Sequence, residues 1–322
     1  MEGKGAGGAG IGPGVGVVSG ADAAYFPLLA ELIASLRDVA PGLPVGVIDA
    51  GLDADQRRAL EGEGAIVRPF VPRSREQARA LARRPALAVN FAKLWLDELF
   101  PEFSTLLFID ADCWVQEGAV LSLIADAAAT GALAVVPSLL AAQDLTIPVR
   151  WWLGLFPELR TFNRKNGRHA RLPRALRRRL DPSPDLNAGV YALRRDSRYW
   201  PRLRFWQSEI LRRGGKPFTT DGLAMALAAY ADGLPLALLP ATCNAADRWL
   251  FDPQAMALTL CQPPYERIGI VHLANQKKVR FDPEARVRIP DRSGRLHEIG
   301  LRYPYFANRA ARVHLALASE RG

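Results

Sequence analysis

Asp110 and Asp112 stand one residue apart at the end of an apolar run, "LLFIDADCWV" over residues 106–115. In an extended chain residues i and i+2 point to the same side, so both carboxylates can face one target while Ala111 packs the other way. Three readings suit such a pair. Together they could hold one hard divalent cation and leave positions open for phosphate oxygens. One Asp could instead be a nucleophile. The third reading is a polar strand end and nothing more.

The elements that must position the pair alternate strand and helix. "VGVVSG" (15–20) reads as a buried strand, and in "YFPLLAELIASLR" the residues Leu28, Leu29, Leu32, Ile33 and Leu36 share one helical face. "PVGVIDAG" (44–51) is a second strand, "DADQRRALEG" a short helix capped by its Asp, and "AIVRPF" a third strand. "NFAKLWLDELF" (90–100) reads as one amphipathic helix stopped by Pro101, and the strand 105–110 then carries the carboxylates. Further strands are expected at "AVVPS", 187–195, 235–240 and 268–273, with helices near 117–128, 199–213 and 221–231. This spacing implies a mostly parallel α/β sheet. In such sheets ligands bind beyond the carboxyl ends of the strands. Ser19 to Asp22, Asp49 and Asp110 to Asp112 all lie at such ends.

With 322 residues, 49% hydrophobic and 23% charged, the chain has the composition of a globular protein with ample core. The net charge of +9 suits an anionic partner, or a genome that favours Arg codons. Cys113, Cys243 and Cys261 are far apart and form no CxxC pair, which argues against a disulfide framework or zinc cluster and fits a reducing compartment. "MEGKGAGGAGIGPG" reads as a flexible leader, and no apolar stretch has unbroken transmembrane length. Between Leu159 and Asp181 lie nine Arg or Lys residues and no acid. That stretch suits either a solvated helix face and loop or a surface for an anionic acceptor or membrane.

In order along residues 15 to 280, the segments resemble glycosyltransferase family 8, which includes bacterial lipopolysaccharide galactosyl- and glucosyltransferases and glycogenin. "SGADAAY" resembles its first nucleotide-binding loop, "FAKLWLDELFPEFSTLLFIDADCWV" its helix and DxD block, "LNAGVYALRR" its Asn-Ala-Gly-Val strand, "TTDGLAMAL" the segment beneath the sugar, and "VHLANQKK" its closing His-x-x-Gly-x-x-Lys. The resemblance implies a GT-A type α/β fold with a mixed, mostly parallel central sheet and helices on both faces. It implies a retaining transfer of a hexose from a nucleotide sugar, a UDP-sugar, to an acceptor hydroxyl. Ser19, Asp22, Tyr25, Lys93, Asp110 and Ala111 would then meet the nucleotide and Lys278 its diphosphate. Asp110, Asp112 and His272 would hold the metal, and Asn187 and Asp221 the donor sugar. Two carboxylates and an imidazole suit Mn²⁺, and Mg²⁺ less well.

The chain departs from the family at three places: Gly222 stands where Gln follows the Asp, Asn275 replaces the glycine of the last block, and Val279-Arg280 replaces Pro-Trp. Lys93 for Arg keeps the charge and loses the planar fork.

Plainer roles compete at most positions. Asp22 and Asp221 would also serve as helix caps, Tyr25 and His272 as core residues, Asn187 as a turn residue and Lys278 as part of a solvated basic run. The expected organisation is a leader over residues 1–14, a glycosyltransferase domain over 15–275 and a basic C-terminal extension over 276–322. The expected location is cytoplasmic, with contact to the anionic inner face of the membrane left open. The acceptor is a carbohydrate, lipid-linked or protein hydroxyl, and no nucleic-acid partner is expected. Alternatives are a haloacid-dehalogenase-type phosphatase using Asp110, or an inactive nucleotide-sugar-binding protein of the same fold.

Overall fold

The computed structural model describes residues 11–138, 149–152, 155–159 and 161–304. Most of the expected leader and the last part of the C-terminal extension lie outside the described residues.

The chain opens with β1 (Val15–Ala21), α1 (Phe26–Val39), β2 (Val45–Asp49), α2 (Ala54–Gly62) and β3 (Ile66–Pro69). Helices α3 (Arg75–Arg83), α4 (Leu87–Ala92) and α5 (Leu96–Leu99) lead to β4 (Thr105–Ile109) and the short β5 (Cys113–Val115). Next come α6 (Ala119–Ala129), β6 (Leu133–Ser138) and the hairpin β7 (Val149–Trp152) and β8 (Phe156–Leu159). Helices α7 (Phe162–His169) and α8 (Arg174–Leu180) precede β9 (Asp185–Arg194), α9 (Tyr199–Arg212), α10 (Thr220–Ala226) and β10 (Leu236–Leu238). The last part holds β11 (Trp249–Asp252), β12 (Ala257–Leu260), β13 (Ile270–His272), α11 (Lys277–Phe281), β14 (Arg286–Pro290) and β15 (Leu296–Gly300).

Seven strands form the central sheet in the order β10-β6-β9-β4-β1-β2-β3. All neighbours are parallel except β9, which runs antiparallel to both β4 and β6. From β1 the chain steps outward to β2 and β3, then returns to the other side of β1 as β4. That reversal opens a crevice at the carboxyl ends of β1 and β4.

Strand β4 is central, and its alternation shows how the sheet divides the core. Leu106 and Phe108 face one hydrophobic cluster with α4, α9 and α10, while Leu107 and Ile109 face the other with α1 and α6. In α1 the buried Leu28, Leu29, Leu32, Ile33 and Leu36 recur at helical spacing, and a proline sits in its first turn. Each such leucine, fully removed from water, contributes about 1.5–3 kcal/mol.

The helix expected over 90–100 is instead two short helices, α4 and α5, with Lys93 at the C-cap of the first. The carbonyls that would continue the ladder are engaged elsewhere: the Tyr191 hydroxyl donates to Lys93 O, and Gln207 Nε2 donates to Phe91 O at 3.4 Å. The break turns the Lys93 side chain inward, where it is 3% exposed.

Residues 277–304 pack on the domain. Val279, Ala285, Ile289, Leu301 and Tyr303 join Trp114, Trp249 and Phe251 in a third cluster, and Trp114 Nε1 donates to Leu301 O at 2.9 Å. Arg302, 2% exposed, forms a two-pronged ion pair with Glu31 of α1 at 2.5 and 2.6 Å. No helix among the described residues is long and apolar enough to cross a membrane.

Candidate functional site

A cavity of about 550 Å³ opens at the switch point. Its lining includes Asp22, Tyr25, Lys93, Asp110, Ala111, Asp112, Asn187, Asp221, Gly222 and His272, so nine of the eleven residues singled out from sequence converge there.

The carboxylate pair is placed by a tight turn after β4. Asp110 N donates to Gly189 O at 2.7 Å, and Cys113 N donates back to Asp110 O at 3.0 Å. The backbone of Asp112 is fixed by Leu273 N, which donates to its carbonyl at 2.8 Å. Antiparallel β9 must come very close: a Cβ on Gly189 would lie 2.7 Å from His272 Cε1 and 2.8 Å from Asp110 Oδ2. Only glycine at this position lets the imidazole, the carboxylate and Asn187 share one corner.

Each carboxylate has a protein cation. Lys93 Nζ lies 2.8 Å from Asp110 Oδ1 and 3.3 Å from Asp221 Oδ2, over the face of Phe108 at 4.7 Å. Asp112 meets His272 Nε2 at 3.3 Å through Oδ1 and Arg280 Nη1 at 3.1 Å through Oδ2. Burial pushes the Asp110 carboxyl above its ordinary range, with Asp112 adding to that against the pull of Lys93 and His272. Burial works the same way on Asp112, yet His272 and Arg280 outweigh it and hold that carboxyl at about 2. Burial alone would lower Lys93; Asp110 and Asp221 reverse this and keep it charged. His272 is likewise opposed by burial and raised by Cys113 and Asp112. The Cys113 thiol is pushed up by burial to about 11.

His272 is oriented from behind. Its Nδ1–H donates to Asn244 Oδ1 at 2.8 Å, which leaves Nε2 aimed at Asp112. The corner sets the Asp110 carboxylate beside His272 and Asp112, donor types that suit a divalent cation, but Asp110 is not among the ligand atoms that cluster within 4.8 Å. Cys113 lies beside it, with one ligand atom each of Asp112, Cys113 and His272 within 4.8 Å of one another.

The remaining candidates divide. Asp22 accepts the Tyr25 amide at 3.0 Å, fixing the turn into α1 while still lining the cavity. Tyr25 is half-buried with its hydroxyl 3.3 Å from Arg280 Nη1, so it belongs to the wall and not the deep core. Asn187 Oδ1 accepts Gly189 N at 2.9 Å, and Asp221 Oδ1 accepts Gly222 N at 2.9 Å.

Ser19 does not line the cavity; it is wholly buried within β1, its hydroxyl without a hydrogen-bond partner among the described residues. Lys278 does not line it either: its side chain is exposed on α11, and Arg280, two residues on, enters the cavity instead. The last block closes as a short helix, and that half-turn exchanges the two cations. Asp49, at another strand end, accepts the amides of Gly51 and Leu52 and pairs with Arg57, a turn-holding role.

Sequence reasoning missed Arg280, Asn244 and Asn90, the last 3.4 Å from Asp221 Oδ2. The signal for Arg280 was present as the residue that replaces Trp after the closing lysine; Asn244 carried none. Phe162, Asn163 and Asn166 of α7 also line the cavity, so the Arg-rich stretch borders it. Its exposed Lys165, Arg168, Arg171, Arg174 and Arg178 lie on α7, α8 and the turn between them.

No protein-family model matches the chain, and no curated protein matches it. Among solved structures, an active-site mutant of LgtC aligns over 80% of this chain and 86% of that one, with 18% identity and a TM-score of 0.50. The galactosyltransferase LgtC in complex with donor and acceptor sugar analogues aligns over the same shares at 18% identity and TM-score 0.47. Mouse xyloside xylosyltransferase 1 aligns over 81% of this chain and 98% of that one at 13% identity and TM-score 0.48. The first of these likenesses shows that the chain has the GT-A type α/β fold, with its mostly parallel sheet and flanking helices.

Proposed function

We propose that this protein is a metal-assisted glycosyltransferase that moves a hexose from a nucleotide sugar, a UDP-sugar, to an acceptor hydroxyl. The observation that carries this is the convergence of Asp110, Asp112, His272, Lys93, Asn187, Asp221 and Tyr25 in one cavity at the switch point of a GT-A sheet.

Each side chain has a task that its geometry suits. Tyr25 and Asp22, at the outer end of β1, would meet the base. Asp110, Asp112 and His272 would hold Mn²⁺ or Mg²⁺. That ion, when bound, supplies charge stabilisation for the diphosphate leaving group. Lys93 holds Asp110 and Asp221 in place, so neither carboxylate must reorganise as charge develops. Asn187 Nδ2 and Asp221 face the space where donor hydroxyls would sit, and an epimer that leaves them unpaired would be penalised.

Retention follows as part of the proposal. Asp110 and Asp221 are both held by Lys93 and are poor nucleophiles. The acceptor oxygen would form its bond to the anomeric carbon as the bond to diphosphate breaks on the same face. The acceptor proton would go to the departing phosphate oxygen. The fold disfavours the aspartyl-phosphate reading of Asp110. NMR of the glycoside formed from an α-linked donor tests the stereochemistry, and a β-linked product would overturn retention. Hydrolysis or transfer of radiolabelled UDP-hexoses in the presence of Mn²⁺ tests the activity. UDP binding without any turnover would leave the inactive binding protein as the better reading.

The domain organisation follows the same proposal: the transferase domain over residues 15–275 with the basic segment from 276 as an integral buttress, since residues 277–304 pack against it. The acceptor is a carbohydrate or a lipid-linked or protein-borne hydroxyl, and the basic face of α7 and α8 would favour an anionic acceptor or the inner face of a membrane.

A further inference from the structure

Arg280 has contacts that a simple wall residue does not need. Its Nη1 lies 3.1 Å from Asp112 Oδ2 and 3.3 Å from the Tyr25 hydroxyl. Its Nε is buried with no hydrogen-bond partner among the described residues. An unpaired buried guanidinium donor is costly, and a planar fork with donors to spare fits an oxyanion. The backbone beneath it is clamped: Arg302 Nη1 donates to Arg280 O at 3.1 Å and to Val279 O at 3.3 Å, and Arg302 is itself held by Glu31. Arg280 is therefore presented to the cavity by a fixed support, whereas Lys278 on the same short helix points to solvent.

The oxygen that Arg280 holds belongs to a carboxylate that would also bind the metal. With His272 on Oδ1 and Arg280 on Oδ2, both oxygens of Asp112 are taken by protein cations. A divalent ion held by Asp112 and His272 Nε2 together takes over the His272 contact on Oδ1, and Arg280 on Oδ2 competes with it for the same carboxylate. Arg280 is the partner with space to turn toward the cavity, because its side chain is 19% exposed and the His272 side chain 5%.

We propose that Arg280 is an exchangeable cation: it neutralises Asp112 in the empty site, is displaced from it by the metal, and then binds the diphosphate of the donor in place of Lys278. This rests on the transferase reading given above and specifies how its phosphate side works. The exchange predicts effects of opposite sign from one substitution, which a merely structural role would not give. Without Arg280 the metal meets no competitor at Asp112, so Mn²⁺ alone should bind more tightly. The same substitution removes a charge-assisted bond to phosphate, so UDP in the presence of Mn²⁺ should bind more weakly.

The test is calorimetry on the full chain with Mn²⁺ alone, and then with UDP at saturating Mn²⁺, for wild type, Arg280→Ala, Arg280→Gln and Lys278→Ala. The expected result is Mn²⁺ affinity raised about tenfold and UDP affinity lowered about tenfold in the Arg280 variants. Arg280→Gln retains a neutral hydrogen-bonding side chain and supplies the answer if the alanine variant does not fold, as judged by circular dichroism. Mn²⁺ affinity that is unchanged or weakened in a folded Arg280 variant would overturn the exchange. UDP affinity that falls with Lys278→Ala and not with the Arg280 variants would return the phosphate to Lys278 and overturn the assignment, leaving the transferase reading intact. A wild type that binds neither Mn²⁺ nor UDP would overturn that reading and the exchange together.

Discussion

Replacing Lys93 by Met should destabilise the metal-free protein in a way that depends on pH with a definite sign. The ammonium is 4% exposed and sits 2.8 Å from Asp110 and 3.3 Å from Asp221. Removing one partner of a buried ion pair costs about 3–5 kcal/mol, because the remaining charge is left without compensation. Met fills nearly the same volume over Phe108, so little of that figure comes from packing. At pH 7 the loss should appear as a fall in Tm of roughly 5–15 °C.

Asp110 already lies above its ordinary range through burial, and without Lys93 it would rise further. A carboxyl whose folded pKa exceeds its unfolded value of about 3.9 binds its proton more readily in the folded state, so folding gains as pH falls toward that value. The deficit of the variant should therefore shrink between pH 7 and about pH 5. Guanidinium denaturation of both proteins at the two pH values, in chelator, measures it. A variant as stable as wild type at pH 7, or a deficit that grows on acidification, would refute the assignment of Lys93 as the counter-ion of two buried carboxylates.

Glu31→Ala leaves Arg302 buried and unpaired, so it should cost about 3–5 kcal/mol in urea denaturation; an effect below 0.5 kcal/mol, about that of an ordinary surface change, would place the pair outside the core's energetics. Gly189→Ala drives a methyl into His272, Asp110 and Asn187, and overpacking of about 1–3 kcal/mol should appear together with loss of Mn²⁺ binding by calorimetry. Unchanged Mn²⁺ affinity in that variant would show that the three groups do not act as one corner. Asn244→Ala removes the acceptor that fixes the His272 tautomer and should weaken Mn²⁺ about 10–100-fold, with wild-type affinity as the contrary result.

The strands were legible because their chemistry is repetitive. β1, β2 and β4 are short apolar runs bounded by Gly, Asp or Pro, and their order forced the crevice to the ends where Asp22 and Asp110 lie. The break between α4 and α5 was not legible, since Phe91, Leu94, Trp95 and Leu99 keep a helical apolar period through it. Only tertiary partners, Tyr191 and Gln207, decide where that helix stops. Candidate residues on the sheet converge on the cavity because strand geometry fixes where a side chain points. Lys278 lies on a short helix after the sheet, where a step of two residues exchanges an exposed lysine for a half-buried arginine that lines the cavity. Ser19 falls short of the cavity by its place along β1: Gly20 and Ala21, nearer the carboxyl end, line the cavity, while the Ser19 hydroxyl stays buried inside the fold. Asn244 acts only through His272, and no local pattern marks such a residue.

The most direct test of the account is UDP-hexose binding by calorimetry, with and without Mn²⁺, in wild type and Asp112→Asn. Binding that requires Mn²⁺ and is lost in the variant is the predicted result, because Asp112 joins the metal corner to the cavity wall. No binding by wild type under either condition, or equal metal-dependent binding by both proteins, would contradict the assignment of this cavity as a nucleotide-sugar site.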